Sequence, residues 1–158
     1  MSNPVTINAP EGLPFIEIER DFDAPVEAVF RAYAEPELVK QWLGPHDMEM
    51  ELNEYNCSSG GQYRYVHRDP AGEEYPFRGM FHTVRENELI VQTFEFEGFP
   101  DVVSIESMTF TDLGNGRSKV TGQSAFPSVE ARDGIIASDM ETGVVQGYER
   151  LDKVLAQG

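Results

Sequence analysis

Residues 15–45 read FIEIERDFDAPVEAVFRAYAEPELVKQWLGP. In their first third, Ile16, Ile18 and Phe22 alternate with Glu17, Glu19 and Asp21, the period-two pattern of a strand with one buried face. Arg20 interrupts that apolar face. A charge placed there must pair, lie at a rim or mark the polar end of a pocket, and structural pairing is the expectation. Asp23-Ala24-Pro25 ends the strand and opens a helix, because proline is tolerated in a first turn and Asp23 offers an oxygen near the helix N-terminus. Val26, Val29, Phe30 and Tyr33 follow at helical spacing. Glu35-Pro36-Glu37 starts a second short helix through Leu38, Val39 and Trp42, and Gly44-Pro45 closes it.

Upstream, residues 1–14 carry Pro4, Pro10 and Pro14 without periodicity and read as an extended arm ahead of one domain over 15–158. Downstream, six more strands are predicted. Met48, Met50 and Leu52 alternate with Glu49, Glu51 and Asn53. Tyr63, Tyr65 and His67 follow Gly60-Gly61, and Tyr75, Phe77, Gly79 and Phe81 follow the turn at Asp69-Pro70-Ala71-Gly72. Runs from Leu89 to Phe96, Val102 to Phe110 and Ser118 to Phe126 complete the set, the last opened by the hairpin signal Asn115-Gly116. Ile136, Met140, Val144, Tyr148, Leu151 and Leu155 form one apolar stripe, which predicts a single long helix over 128–156. Gly143 and Gly147 beside the stripe suggest close approach of this helix to the sheet, or a soft bend. The order predicts an α+β fold: a curved antiparallel seven-stranded sheet wrapped on a long C-terminal helix, with two short helices after the first strand.

Composition narrows the function. The chain has 158 residues, 40% of them apolar, so one domain with its own core is expected. Twenty-eight acids against twelve bases give a net charge of −16, which disfavours nucleic acid and anionic membrane surfaces as partners. No apolar run is long enough to span a bilayer and no segment reads as a charged n-region followed by an apolar h-region, so neither a membrane span nor a secretory signal is expected. The single cysteine, Cys57, fits a reducing cytoplasm, and no basic neighbour in sequence activates it.

The ordered set Arg20-Asp21-Phe22-Asp23-Ala24-Pro25, Val29-Phe30, Glu35-Pro36-Glu37-Leu38, Trp42-Leu43-Gly44-Pro45, Gly60-Gly61-Gln62-Tyr63, Gly79 and Gly147-Tyr148-Glu149-Arg150-Leu151 resembles the START-like (SRPBCC, birch-pollen-allergen-like) superfamily. Within it, the chain is similar to the group named for the activator of the ninety-kilodalton heat-shock chaperone's ATPase. The resemblance covers roughly residues 15 to 156 and implies a helix-grip fold with a hydrophobic cavity between sheet and long helix. It also implies ligand binding or cyclisation chemistry as the superfamily's range. Chaperone contact is implied by analogy alone, since the namesake activator has an additional N-terminal domain. The family usually has tryptophan where this chain has Tyr148, whose hydroxyl needs a partner if buried.

An aromatic and methionine set carries the functional expectation. Tyr63, Tyr65, Phe77, Phe81, Phe94, Phe96, Met108 and Phe110 share one sheet face with Met50, opposite Met140 and Tyr148, and Trp42 closes one end. Either they are a plain core or they line a ligand pocket. Glu106 falls on the inward face, at a rim or inside the pocket, while Glu95 falls on the opposite face and is expected to be solvated. His46, His67 and His82 match no metal-ligand spacing and are expected at the surface or in hydrogen bonds. No metal or cofactor is expected. Serine-hydrolase and phosphate-loop patterns are missing.

The leading expectation is therefore a non-catalytic cytoplasmic domain that binds a small hydrophobic molecule. A cyclase-, dehydratase- or isomerase-type enzyme using Glu106 or Tyr148 is the alternative, and a chaperone-associated protein-binding module is the third. The last predicts an exposed apolar patch.

Overall fold

A computed structural model describes residues 3–157. The elements run β1 (Thr6–Asn8), β2 (Phe15–Phe22), α1 (Val26–Ala34), α2 (Pro36–Trp42), β3 (Glu49–Tyr55), β4 (Gln62–Arg68), β5 (Glu74–Arg85), β6 (Leu89–Phe96), β7 (Ser104–Gly114), β8 (Arg117–Ala125), α3 (Val129–Ala137) and α4 (Met140–Gln157). One antiparallel sheet has the order β1-β2-β8-β7-β6-β5-β4-β3, so β2 and β3, separated by both short helices, lie far apart. The architecture is α+β and consistent with a helix grip.

Two expectations need correction. The sheet has eight strands rather than seven, because Thr6–Asn8 of the arm pairs with β2 in register Ile7 to Ile18. Three residues between prolines are too few to show a period, so hydropathy alone is silent there. The first two residues of the arm, and Gly158 at the end of the domain expected over 15–158, lie outside the described residues.

The C-terminal segment is two helices, not one. It breaks at Ser138-Asp139, where Asp139 takes φ 62° and the Ser138 hydroxyl donates to the Ile135 carbonyl at 2.6 Å. Serine and aspartate bond locally to backbone and so favour helix ends over interiors. Asp139 also accepts from the Thr142 hydroxyl at 3.0 Å as α4 begins. Ile136, on the α3 side of the break, leaves the apolar stripe and is 40% exposed.

The core is built where α1, α2 and the second half of α4 meet the sheet. Phe22, Val29, Phe81, Ile90, Val120 and Leu151 are sealed from solvent. Leu151 and Tyr148 project from α4, while Phe30 and Tyr33 of α1 meet Phe110 edge-on at 5.1 and 5.2 Å between ring centres. Gly147 brings α4 close to the α2–β3 loop rather than to the sheet: a Cβ there would lie 3.4 Å from the Trp42 carbonyl oxygen and 3.5 Å from the Gly44 nitrogen.

Arg132 of α3, buried, donates to the carbonyls of Pro10 at 2.9 Å and Phe15 at 3.0 Å. It ties α3 to the start of β2. At the other end, Gly143 of α4 packs on Pro45, and the Gln146 side chain accepts from the His46 N–H at 3.0 Å. The two helices thus arch over the concave face of the sheet from one side to the other.

Candidate functional site

Antiparallel register stacks inward-facing side chains into rows across the concave face. One row runs Arg20, Val120, Phe110 on β2, β8 and β7, and all three are buried. The next is Ile18, Gly122, Met108, Ile90, of which only Ile90 is sealed. A third runs Ile16, Ser124, Glu106, Gln92, Phe81. Its ends, Ile16 and Phe81, are each 1% exposed, whereas Ser124, Glu106 and Gln92 between them keep partial exposure. The middle of the concave face is therefore less tightly covered than its ends, and it is where glycine and serine replace large side chains on β8.

Glu106 sits at the centre of this region. Burial among apolar side chains pushes its carboxyl up to about 7, partly offset by hydrogen bonding from the Ser124 and Ser104 hydroxyls. The Ser124 hydroxyl donates to Oε2 at 3.2 Å. Tyr63, Tyr65 and Tyr148 all feel its charge, in addition to the burial that dominates each of them and raises their phenols above the usual range. Tyr63 donates its hydroxyl to the Thr93 carbonyl at 2.6 Å and accepts from Gln92 Nε2 at 3.1 Å. Gln92 and Ser124 were missed by reading residues singly. Their signal was the register that sets each directly across from Glu106.

The other candidates divide into two groups. Tyr63, Tyr65, Phe77, Phe94 and Phe96 form a continuous aromatic wall over β4, β5 and β6, with neighbouring ring centres 5.2–6.0 Å apart. Met50 and Met108 are partly exposed and pack against the core. Phe110 lies beneath α1, and Phe81, in contact with Tyr55 and Tyr63, is fully enclosed. Trp42 is buried with its indole N–H donating to the Ala32 carbonyl at 2.9 Å, and its ring stacks 6.3 Å from that of Tyr148. The Tyr148 hydroxyl has a partner in the Tyr33 hydroxyl at 3.3 Å. Met140 opens α4, partly exposed and outside the packed core.

Arg20 is paired, as expected, and its partner is Asp152 of α4. Two other charged or titratable side chains behave in ways the pattern does not reveal. Glu95 is buried rather than solvated: it accepts from the Asp101 N–H at 2.8 Å and from Arg78 at 3.1 Å, and these two hold its carboxyl below the usual range. The loop after β6 folds back over it.

His67 is buried rather than at the surface, and while its ring has a backbone hydrogen bond to Leu43, its Nε2 has no partner. Burial, assisted by the nearby Arg150 charge and opposed by a backbone contact to Leu43, lowers it to about 4. The ring fits against Gly44, whose absent Cβ would stand 2.6 Å from it. His46 and His82 are exposed as expected. Burial raises the Cys57 thiol to about 11, which leaves it a poor nucleophile.

Among the described residues, no group of three or more His, Cys, Asp or Glu side chains could hold a metal ion. No helix among them is long and apolar enough to cross a membrane. An open concavity of about 510 Å³ lies elsewhere, between α1 and the β3–β4 and β5–β6 turns, walled by Phe30, Cys57, Ser59, Val84 and Asn87 among others. None of the sequence-predicted site residues lines it, because α1 and the turns, not the sheet's concave face, build its walls. On the outer face Met80 and Ile105 flank Thr93 and are 56% and 53% exposed.

The model of the family described as Activator of Hsp90 ATPase homolog 1-like protein matches residues 23–156, and the chain belongs to that family. No curated protein matches it. Among solved structures, a protein from Mycobacterium smegmatis is 24% identical with a TM-score of 0.86, over 96% of this chain and 97% of that one. One from Rhodobacter sphaeroides is 22% identical with a TM-score of 0.88, over 98% and 100%. A solution structure from Staphylococcus epidermidis is 26% identical with a TM-score of 0.81, over 96% and 94%. These likenesses describe the fold.

Proposed function

We propose that the protein binds a small, largely apolar molecule between the concave face of its sheet and the α3–α4 arch. The observation that carries this is the unequal sealing of the inward-facing rows. Val120, Phe110 and Ile90 are closed off, yet Gly122, Ser124, Glu106, Met108, Gln92 and Phe94 on the same face keep partial exposure. An apolar wall with a few convergent polar groups is the usual make-up of a small-molecule site. Tyr63, Tyr65, Phe77, Phe94, Phe96 and Met108 supply the wall in this reading, Met50, Tyr148 and Met140 its margins, and Trp42, Phe81 and Phe110 the packed floor and end.

Binding is tested by titrating naphthalene and longer aromatic probes while following melting temperature and the emission of Trp42, the single tryptophan. Saturable stabilisation with a change in emission supports the reading. No response from any apolar probe sinks it.

A second reading is favoured by Glu106, whose carboxyl near neutrality suits proton transfer to or from a bound substrate. In this case the protein is an enzyme of cyclase, dehydratase or isomerase type. Turnover that survives Glu106→Gln would remove Glu106 from that role.

A further inference from the structure

We propose that the molecule bound against Gln92, Glu106 and Ser124 carries a hydrogen-bond donor, such as a hydroxyl, on an otherwise apolar body, and that carboxylate-ended molecules are rejected. The inference rests on the binding reading above and names the chemistry of its occupant.

It follows from counting donors and acceptors along one row. Gln92, Glu106 and Ser124 are direct cross-strand neighbours on β6, β7 and β8, so their side chains emerge side by side on the concave face. The donors they could offer are largely spent inside the protein. The Ser124 hydroxyl is given to Glu106 Oε2 at 3.2 Å, Gln92 Nε2 to the Tyr63 oxygen at 3.1 Å, and the Tyr63 hydroxyl to the Thr93 carbonyl at 2.6 Å. One amide hydrogen of Gln92 remains.

Acceptors are in surplus. The Ser104 hydroxyl, which also favours the charged carboxyl, is given to the Phe94 carbonyl at 3.4 Å, and the one hydrogen bond that reaches the Glu106 carboxylate among the described residues ends on Oε2. Oε1 is also not a sealed atom without a partner, since among those residues the one such atom is Nε2 of His67. Oε1 thus faces space that a water-sized group can enter. A ligand hydroxyl placed there meets a carboxylate that needs a donor.

Nothing nearby would welcome an anion. Arg20, the cation of β2 nearest this face, has all three nitrogens engaged, Nε by the Asn3 carbonyl and the other two by Asp152. Arg150 of α4 is turned to the carbonyls of Gly44 and Pro45. From β4 and α4, the groups facing Glu106 are the phenols of Tyr63, Tyr65 and Tyr148, all held neutral by burial. A carboxylate entering this region would confront Glu106 with no compensating charge, and a buried unpaired charge is costly.

Three probes of one shape test this by calorimetric titration: naphthalene, 2-naphthol and 2-naphthoate at pH 8. The expected order is 2-naphthol about tenfold tighter than naphthalene, the size of one hydrogen bond to a charged acceptor, with 2-naphthoate weakest. In Glu106→Leu the ratio of naphthol to naphthalene affinity should fall toward one, and in Glu106→Gln to an intermediate value.

Equal affinity for naphthol and naphthalene, preference for naphthoate, or an unchanged ratio in Glu106→Leu overturns the proposal while leaving the binding reading in place. Failure of all three probes to bind overturns both. Should Glu106→Leu not fold, the wild type decides the matter. At pH 5 Glu106 is largely protonated and is itself a donor, so the penalty on naphthoate must shrink relative to pH 8. An unchanged penalty rejects the proposal.

Discussion

Arg20 on β2 and Asp152 on α4 form a two-pronged ion pair, 2.6 and 2.7 Å, that joins the sheet to the last helix. The guanidinium is almost wholly enclosed and lies 4.8 Å from the Phe22 ring centre and 5.7 Å from that of Tyr148. Removing one member leaves the other unpaired where water reaches poorly. Asp152→Ala should therefore destabilise the fold by about 3 kcal/mol in urea unfolding, with little dependence on salt. The double variant Arg20→Met with Asp152→Leu should recover much of that loss. Equal stability of Asp152→Ala and wild type would show the pair to be dispensable.

Glu106 predicts a slope of stability with pH. Its folded pKa, about 7, stands above the ordinary 4.5 of the unfolded chain. The folded state binds the proton more tightly, so stability is full below pH 4.5 and is lost as pH rises through 7. Glu106→Gln removes this contribution. Its stability relative to wild type should grow by roughly 3 kcal/mol between pH 4 and pH 8, measured by urea unfolding at each pH. A constant difference across that range would contradict the assignment.

His67 predicts the opposite limb. Its pKa falls from 6.5 to about 4 on folding, so its contribution is present above pH 6.5 and is lost as pH falls toward 4. His67→Phe should unfold less readily than wild type when acidified from pH 6.5 to pH 4, whatever its stability at pH 8. Gly44→Ala should be destabilised by more than the roughly 1 kcal/mol cost of a side chain at its φ of 99°, because the new methyl meets the His67 ring. Combining it with His67→Ala should relieve the second part only. Simple additivity of the two single effects would deny the contact.

The hydroxyl of Tyr148 predicts a smaller effect. Tyr148→Phe removes the acceptor that Tyr33 uses at 3.3 Å beneath α4, and a cost of about 1 kcal/mol in thermal or urea unfolding is expected. A neutral substitution would mean that Tyr33 finds another partner.

Several features were readable from local pattern because their cause is local. Alternation marked β2 and β4, a proline at the right place marked the start of α1, and Asn115-Gly116, both at positive φ in the turn, marked the β7–β8 hairpin. Two failures have equally local reasons. Ser138-Asp139 carries helix-ending chemistry that a hydrophobic stripe passes over, and Thr6–Asn8 becomes a strand only because the edge of β2 is there to receive it.

The candidate site was legible in outline and not in its chemistry. Tyr63, Tyr65, Phe77 and Phe94 share a face by simple counting, and Glu106 falls on that face by the same count. The sequence by itself thus determined the order of elements from β2 through β8, the apolar inward set and the family likeness, since each follows from periods of two or 3.6 and from short ordered motifs.

Only the tertiary structure could set Gln92 and Ser124 beside Glu106, bring Asp152 to Arg20 across 132 residues, fold Asp101 over Glu95 and seal His67 against Gly44. Registers and charge partners are relations between distant strands and helices. The free energy of a buried polar group depends on what those distant neighbours leave for it to bond with.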